Sequence, residues 1–278
     1  MKHSLKVLTF ICISTLLLGS CAGNAPAATP TPLPATATLA ASPTPDLPKN
    51  VTIKYEENAQ FELLGSNGRR ILIDIADPGL LSSPVTAQDI LLTTHYHSDH
   101  YLKSFVDSFP GQKLTVEEGE IKLPDVNIRG IAAAHNSNDT IQPKDGTDYI
   151  YIIDMAGLRI AHFGDIGQDA LTAGQLEALG QVDVAMTQFN NSYSSMDIFN
   201  MKGYNLMDQV KPHLIFQTHT SLKATGEAVS KWKAYAVEQP QVTLSRDQIP
   251  GETTILLMGS LAVSYQNIYK LEWFGKTP

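Results

Sequence analysis

Cysteine is almost absent from this sequence. The 278 residues include two cysteines, Cys12 and Cys21, and none follows position 21. Residues 22–278 therefore cannot form an internal disulfide, and they offer no thiolate that could bind a metal or attack a substrate. Chemistry in this part of the chain has to come from histidine, aspartate, serine or tyrosine side chains, or from a metal-bound water.

Positive charge is also scarce. Lysine and arginine total 20 against 28 aspartates and glutamates, which gives a formal net charge of −8. Nucleic-acid-binding domains usually carry a basic patch, and none stands out here, so we expect no nucleic-acid partner. Internal repeats with a period of about 20 to 50 residues, the mark of solenoids and propellers, are missing too. The composition is that of an ordinary globular protein.

The N-terminal segment has the proportions of a signal peptide. A positively charged start precedes an apolar stretch at 7–18, which is short for a membrane span. Leu-Gly-Ser-Cys at 18–21 resembles the lipobox of bacterial lipoproteins, in which the cysteine becomes the lipid-modified first residue. We predict a lipoprotein signal peptide over 1–21 and an extracytoplasmic protein anchored to a bacterial membrane through Cys21. An ordinary secreted protein cleaved nearby is the alternative.

A low-complexity segment follows the signal peptide. Residues 22–50 consist largely of alanine, threonine and proline, without the apolar periodicity that a core needs. Proline-rich chain tends to be extended and semi-rigid. We therefore predict a stalk over 22–50, followed by one folded domain over 51–278.

Four metal-ligating side chains occur within six consecutive positions. They follow an apolar, β-branched run at 90–94 that is typical of a buried strand. In extended chain, residues two apart point the same way, so His95 and His97 can bind one cation together. After a turn, Asp99 and His100 project elsewhere and can bind a second one. Imidazole with carboxylate suits zinc, iron or manganese; a solvated histidine-rich turn is the alternative.

The pattern of elements predicts an α/β fold. Strands dominate the first part of the domain, strands and helices alternate after it, and the end is again rich in strands. This order favours layered sheets covered by helices. Among the individual elements, we expect helices at 98–109, capped by Ser98, and at 226–236, and a strand at 261–265.

Three further candidate ligands stand just past the ends of apolar strands. They are His135, Asp165 and His219. A single histidine in such a position is more often a structural residue. Because strand ends that reach one edge of a sheet lie close together, the three residues and the cluster at 95–100 jointly predict one site.

The order of these residues resembles the metallo-β-lactamase superfamily. The resemblance rests on the motif at 94–100, followed by His135, by Gly164-Asp165 and by His219, and it covers nearly all of the predicted domain. It implies a four-layer αβ/βα sandwich of the metallo-β-lactamase type with the site between the two sheets. Within the superfamily, the chain is most similar to the zinc-dependent hydrolase branch of sugar-phosphate lactonases and N-acyl-phosphatidylethanolamine phospholipase D-like enzymes.

The resemblance also implies roles for the seven side chains. Two divalent metal ions are expected, with Zn²⁺ favoured over Mn²⁺ or iron. The implied ligands are, for the first ion, His95, His97 and His135, for the second, Asp99, His100 and His219, and for both ions, Asp165. The catalytic residues are then Asp165, which sets the separation of the ions, and Asp99, which hydrogen-bonds a hydroxide shared between them.

Other positions leave alternatives open. Antibiotic-hydrolysing members of the superfamily commonly use a cysteine ligand, so the lack of one argues against that activity. His219 precedes Thr220, where the branch often has an aromatic residue. Residues 190–193 are either substrate contacts or a polar loop. Asp74 either orients a ligand imidazole or caps a turn.

These observations predict a dinuclear metal-dependent hydrolase that cleaves an ester, lactone or phosphodiester. Its partner is a small-molecule or lipid-derived substrate, and no oligomeric state is predicted. Two alternatives remain: a catalytically disused metal-binding surface lipoprotein, and a nucleic-acid-processing nuclease of the same superfamily.

Overall fold

Strands outnumber helices in the part of the chain that the structure describes. The computed structural model describes residues 46–139, 141 and 147–275. The predicted signal peptide over 1–21 and residues 22–45 of the predicted stalk lie outside the described residues. The first strand begins at Val51.

The strands and helices are numbered in chain order. The strands are β1 (Val51–Glu57), β2 (Gln60–Gly65), β3 (Arg70–Ile73), β4 (Ile90–Thr93), β5 (Gln112–Thr115), β6 (Gly119–Leu123), β7 (Val126–Ala133), β8 (Asp148–Met155), β9 (Leu158–His162), β10 (Val184–Thr187), β11 (Leu214–Gln217), β12 (Lys233–Val237), β13 (Gln241–Leu244), β14 (Thr254–Met258) and β15 (Glu272–Trp273). The helices are α1 (Lys103–Ser108), α2 (Ala173–Leu179), α3 (Lys202–Val210), α4 (Leu222–Lys231) and α5 (Gly259–Tyr269). Within the described residues, no helix combines the length and the apolar character that crossing a membrane requires.

The strands form two sheets. One has six strands in the order β13-β1-β2-β3-β4-β5, and the other has nine in the order β15-β12-β14-β11-β10-β9-β8-β7-β6. Strands β3, β4 and β5 run parallel, and so do β9, β10, β11, β14 and β12. The carboxyl ends of neighbouring parallel strands therefore lie at a common edge, where α/β proteins build their sites.

Apolar side chains divide the domain into four layers. Side chains of both sheets share one buried cluster, in which Phe61 and Ile73 of the first sheet pack with Tyr151 and Met186 of the second. A second cluster joins the other face of the nine-stranded sheet to helices α2 to α5, and a third joins the other face of the six-stranded sheet to the α1 segment. Each sheet is thus buried on both faces, and the predicted αβ/βα sandwich is confirmed.

The predicted strand at 261–265 is wrong, because these residues belong to α5. The period-two pattern of apolar residues favoured a strand. In the structure Ala262 and Tyr265 are buried against the second cluster while Val263 is exposed, which is the three-residue spacing of a helix face. Gly259, with a φ of +71°, begins the helix in a conformation that favours glycine.

Two predicted helices also begin or end elsewhere. Helix α1 starts at Lys103, and its N-cap is Leu102 rather than Ser98; the intervening residues form a turn in which His100 N–H donates to the His97 carbonyl at 3.0 Å. The predicted helix at 226–236 is in fact α4, which Ser221 caps, followed by strand β12. At α1, the turn that carries His97 and His100 takes the place of the first turn of the predicted helix.

Candidate metal centre

Seven side chains that can ligate metals gather at the edge where strands of both sheets end. The loop after β4 contributes four of them, and the segments after β7, β9 and β11 contribute one each. They form two groups, and within each group the ligand-type atoms all lie within 4.8 Å of one another. The first group is His95, His97, His135 and Asp165; the second is Asp99, His100 and His219. The strand-end pattern thus brings all seven predicted residues together.

Asp165 lies between the two groups, with one carboxylate oxygen directed to each. Its Oδ2 is 3.7 Å from His95 Nε2 and 3.8 Å from His135 Nε2. Its Oδ1 is 3.3 Å from Nε2 of both His100 and His219. Burial acts to raise the pKa of Asp165, but contacts with His100 and His135 outweigh it and hold that pKa well below its usual range. The carboxylate is therefore ionised and can accept from both sides.

Several buried atoms at this place are suited to a cation. His95 Nε2, His135 Nε2 and Asp165 Oδ1 are shielded from solvent and have no hydrogen-bond partner among the described residues. Leaving buried polar atoms unpaired is unfavourable. All three belong to the side chains grouped above, and imidazole with carboxylate is a zinc-type donor set. The residues present therefore fit divalent metal ions.

Asp74 positions His100, a member of the second group, by a buried hydrogen bond. It accepts hydrogen bonds from Thr94 N–H at 2.7 Å, from the Thr94 hydroxyl at 2.8 Å and from His100 Nδ1 at 2.8 Å. His162 Nε2 lies 3.2 Å from the same carboxylate. A carboxylate can only accept here, so His100 carries its hydrogen on Nδ1 and presents Nε2 to His219, 3.1 Å away. Of the two interpretations of Asp74, the structure shows orientation of a histidine.

The charges around His100 explain its protonation. Burial acts to lower the pKa of His100, but the Asp74 and Asp165 carboxylates outweigh it and hold the pKa well above its usual value. The same pairing lowers the pKa of Asp74 against the opposing effect of burial. A cation that binds His100 Nε2 has to displace this proton, which is the usual coupling between metal binding and pH.

His95 is held in the tautomer that leaves Nε2 free. The Thr94 hydroxyl donates its hydrogen to Asp74, so it can only accept from His95 Nδ1, 3.1 Å away. Burial, with a contribution from the nearby His100, lowers the pKa of His95 to about 4. Burial also lowers the pKa values of His97 and His219. These three imidazoles are neutral at pH 7 and have a lone pair to offer.

Asp148 is a buried carboxyl group that the sequence-based prediction missed. Its Oδ1 lies 3.5 Å from His95 Nδ1, and neither of its oxygens has a hydrogen-bond partner among the described residues. Burial, reinforced by the charge of Asp165, raises its pKa well above the usual range. Asp148 begins β8 directly opposite Ala133, at the end of β7. The sequence carries no local sign of this role, because it is the pairing of β7 with β8 that places the start of β8 near His135.

The loop at 189–196 combines an inward and an outward residue. Asn191 is buried and donates from Nδ2 to Asp165 Oδ2 at 2.6 Å. The backbone N–H groups of Phe189 and Asn190 donate to the His219 carbonyl at 2.9 and 3.1 Å. Tyr193 points outward and is 78% exposed. Segment 190–193 therefore forms hydrogen bonds with two candidate ligands, Asp165 and His219, and its tyrosine side chain is exposed.

An open cavity adjoins both groups. It has a volume of about 390 Å³ and is lined by His97, Ser98, Asp99 and Tyr193. Asp99 is half-exposed there, and its Oδ2 lies 3.6 Å from His219 Nε2. A cavity of a few hundred cubic ångströms is the ordinary size of a small-molecule site.

Lys202 links two loops that carry candidate ligands, and the sequence offered no sign of it. The side chain is buried, and its ammonium group donates to the Ser137 hydroxyl and, at 3.1 Å, to the Gly167 carbonyl. It also pairs with Asp169 at 3.2 Å. Ser137 lies two residues past His135, and Gly167 lies two residues past Asp165. One cation from α3 therefore holds both loops.

We expect Lys202→Met to weaken zinc binding by about 10-fold, the usual effect of losing a partner that positions a ligand. Without the ammonium group, the loops after His135 and Asp165 lose their common donor, and the first group becomes less well ordered. Competition with a chromophoric chelator measures the affinity. Lys231→Met is the matched control, because Lys231 forms a partly exposed ion pair with Asp208 on another surface. Equal zinc affinity in both variants would contradict the role given to Lys202.

A family model described as a beta-lactamase superfamily domain matches residues 52–219. The match begins in β1 and ends at His219, so it includes all seven grouped residues. No curated protein gives a match. The matched range covers more than half of the chain.

Solved structures of the same fold are similar over most of their length. A candidate Zn-dependent hydrolase of the metallo-beta-lactamase superfamily from Thermotoga maritima is 20% identical with a TM-score of 0.55, covering 75% of this chain and 98% of that one. The metallo-beta-lactamase fold protein YhfI from Bacillus subtilis is 10% identical with a TM-score of 0.50, covering 74% and 96%. Igni18, a metallo hydrolase from Ignicoccus hospitalis, is 22% identical with a TM-score of 0.48, covering 70% and 99%. At these identities the first two likenesses concern the fold alone.

Proposed function

Because the chain belongs to the beta-lactamase superfamily, which includes a structurally similar candidate Zn-dependent hydrolase, we propose that it is a dinuclear metal-dependent hydrolase. Its substrates are small molecules with an ester, lactone or phosphodiester bond. The observation that carries the proposal is the Asp165 carboxylate, which directs one oxygen to each of two groups of imidazoles.

The proposed ligand sets follow the two groups. His95, His97 and His135 would hold one ion and Asp99, His100 and His219 the other, with the Asp165 carboxylate available to both. Two divalent ions held close together would supply an activated water nucleophile and a Lewis acid for the developing negative charge. The remaining roles belong to the side chains of this chain.

Asp165 balances the charge of the site. Its carboxylate stays ionised at neutral pH and lies within 4 Å of imidazoles of both sets, so that it offsets positive charge on either side. Asn191 fixes one of its oxygens through the 2.6 Å hydrogen bond. This holds the carboxylate plane while the other oxygen faces His100 and His219.

Asp99 is the proposed proton acceptor. It is the only carboxylate that lines the cavity among the described residues, and it lies within 4 Å of both His100 and His219. Because it is half-exposed on a turn, its oxygen can reach a water in the cavity and accept the proton that the water gives up. Ser98 and Tyr193 also line the cavity.

The experiment is a hydrolysis screen of the zinc-loaded full chain against p-nitrophenyl acetate, a homoserine lactone and bis-p-nitrophenyl phosphate. We expect turnover of at least one class, and its loss in the same preparation after chelation and in Asp99→Ala. Full metal occupancy with no turnover of any class would favour a metal-binding protein. Cleavage of single-stranded DNA added to the same screen, with none of the three small substrates turned over, would favour a nuclease.

We further propose that the domain is tethered outside the cytoplasm through a lipid on Cys21. Two or more acyl chains, as on a lipoprotein cysteine, suffice for stable anchoring, and the sequence at 18–21 supports such a modification. Mass spectrometry of the N-terminal peptide from the native host tests it, with Cys21→Ser as the unmodified comparison. A mature N-terminus at another position would refute the anchor and leave the hydrolase proposal untouched.

A further inference from the structure

Tyr193 is tied to the candidate metal ligand Asp165 through the side chain of Asn191. The Asn191 side chain joins Asp165 through Nδ2, and its Oδ1 accepts from Tyr193 N–H at 2.9 Å. The backbone of Asn191 also pairs with Met196 in both directions, at 2.8 and 2.9 Å. A short 3₁₀ turn, Ser192–Ser194, is thereby closed with Tyr193 at its centre. The position of the Tyr193 backbone is therefore fixed relative to the metal centre.

The Tyr193 ring forms a wall of the cavity. Its centroid lies 6.1 Å from that of the His97 ring, which it meets edge to face. The cavity between them is otherwise lined by Ser98 and Asp99. Most of the tyrosine ring is still exposed, so its apolar surface remains available inside an otherwise polar site.

Polar and apolar functions are thus separated within one cavity. The imidazoles and carboxylates are placed to act on the bond to be cleaved. Their polar atoms contribute little to the binding of an apolar substituent. Tyrosine combines a large apolar surface with little conformational freedom, which is why it is enriched where proteins bind ligands. A tyrosine on a fixed loop beside the reacting groups can discriminate between substrates by the substituent next to the cleaved bond.

We propose that Tyr193 is the specificity-determining residue of the site and that the substrate carries an aryl or acyl arm that packs on its ring. This inference rests on the proposed hydrolase function and gives it a substrate class: an ester or phosphodiester with an apolar substituent next to the cleaved bond. Tyr193 acts by binding the substrate and does not take part in the proton transfers.

Phe199 provides a matched comparison in the same loop region. It is 83% exposed, an exposure similar to that of Tyr193. Its ring lies under Lys223 Nζ at 5.1 Å, and Phe199 does not line the cavity. Removing it takes away a similar aromatic surface without altering the cavity wall.

The test is calorimetric binding of methylphosphonate and phenylphosphonate to the zinc-loaded full chain, a comparison that requires no turnover. We expect the unmodified chain to bind phenylphosphonate about 10-fold more tightly, the range typical of a small apolar group in a pocket. Tyr193→Ala should lose this preference while keeping its zinc content. Tyr193→Phe should keep the preference, because the ring and not the hydroxyl provides it, and so should Phe199→Ala.

The outcomes separate the two proposals. If Tyr193→Ala keeps the preference, or if the unmodified chain binds both phosphonates equally or not at all, Tyr193 does not determine specificity. Equal losses in Tyr193→Ala and Phe199→Ala would also overturn the inference, because they would reflect a general surface effect. None of these results depends on hydrolysis, whereas lack of turnover in the screen bears on the hydrolase proposal alone.

Discussion

Asp165→Ala should lose one of the two metal ions and reduce turnover by about 10³-fold, equivalent to about 4 kcal/mol of activation free energy. Among the described residues, this is the only carboxylate with oxygens within 4 Å of imidazoles of both sets. Without it, two cations would repel each other across a site containing five histidines. Elemental analysis and steady-state kinetics on the same preparation measure both effects.

Asp208→Ala is a suitable control for Asp165→Ala. Asp208 is half-exposed and pairs with Lys231 on a helical surface, so its removal should change neither metal content nor turnover. An Asp165→Ala protein that keeps both ions and turns over normally would show that the carboxylate does not bridge. Asp165→Asn is less informative, because an amide oxygen can still bind one ion.

Asp74→Ala should lower the free energy of unfolding by about 3 to 5 kcal/mol, the usual effect of removing one partner from a buried charged network. Asp74 is fully buried and accepts from Thr94 and His100, with His162 close by. Its loss leaves these donors unpaired and frees the His100 ring to rotate. Urea denaturation with and without zinc measures the change.

The size of the effect can be assigned to the network with a second variant. Thr94→Val removes one hydroxyl donor to Asp74 and keeps the side-chain volume, so it should destabilise by only about 1 to 2 kcal/mol. Asp74→Ala should in addition weaken the second ion more than the first, because His100 belongs to that group. A drop in stability no larger than that of Thr94→Val would contradict the central place of Asp74.

The seven candidate ligands could be predicted because their signals are local. His95, His135, Asp165 and His219 each stand within three residues of the end of an apolar strand, and parallel strands bring their ends to one edge whatever the sequence of the helices between them. The motif at 95–100 added enough donors to distinguish the site from scattered histidines. The layered fold followed from the order of strands and helices for the same reason.

Residues that act across the fold could not be predicted in this way. Lys202 lies on α3 and contacts loops that precede it by tens of residues. Asp148 is brought to the site only by the pairing of β7 with β8. The misassigned segment at 261–265 has an apolar pattern compatible with two periods, and packing of Ala262 and Tyr265 decided between them. The signal peptide predicted over 1–21 and the stalk predicted after it lie mostly outside the described residues and stay predictions.

The measurement that tests the proposed metal centre most directly is elemental analysis of the freshly purified chain, followed by titration with Zn²⁺. Seven ligand-type side chains in two adjoining groups, joined by Asp165, predict about two zinc-like ions per chain, as in other two-metal hydrolytic sites. The titration should show both ions binding with release of protons, because His100 gives up a hydrogen. A chain that contains no metal as purified and gains none from Zn²⁺ or Mn²⁺ would contradict the proposal.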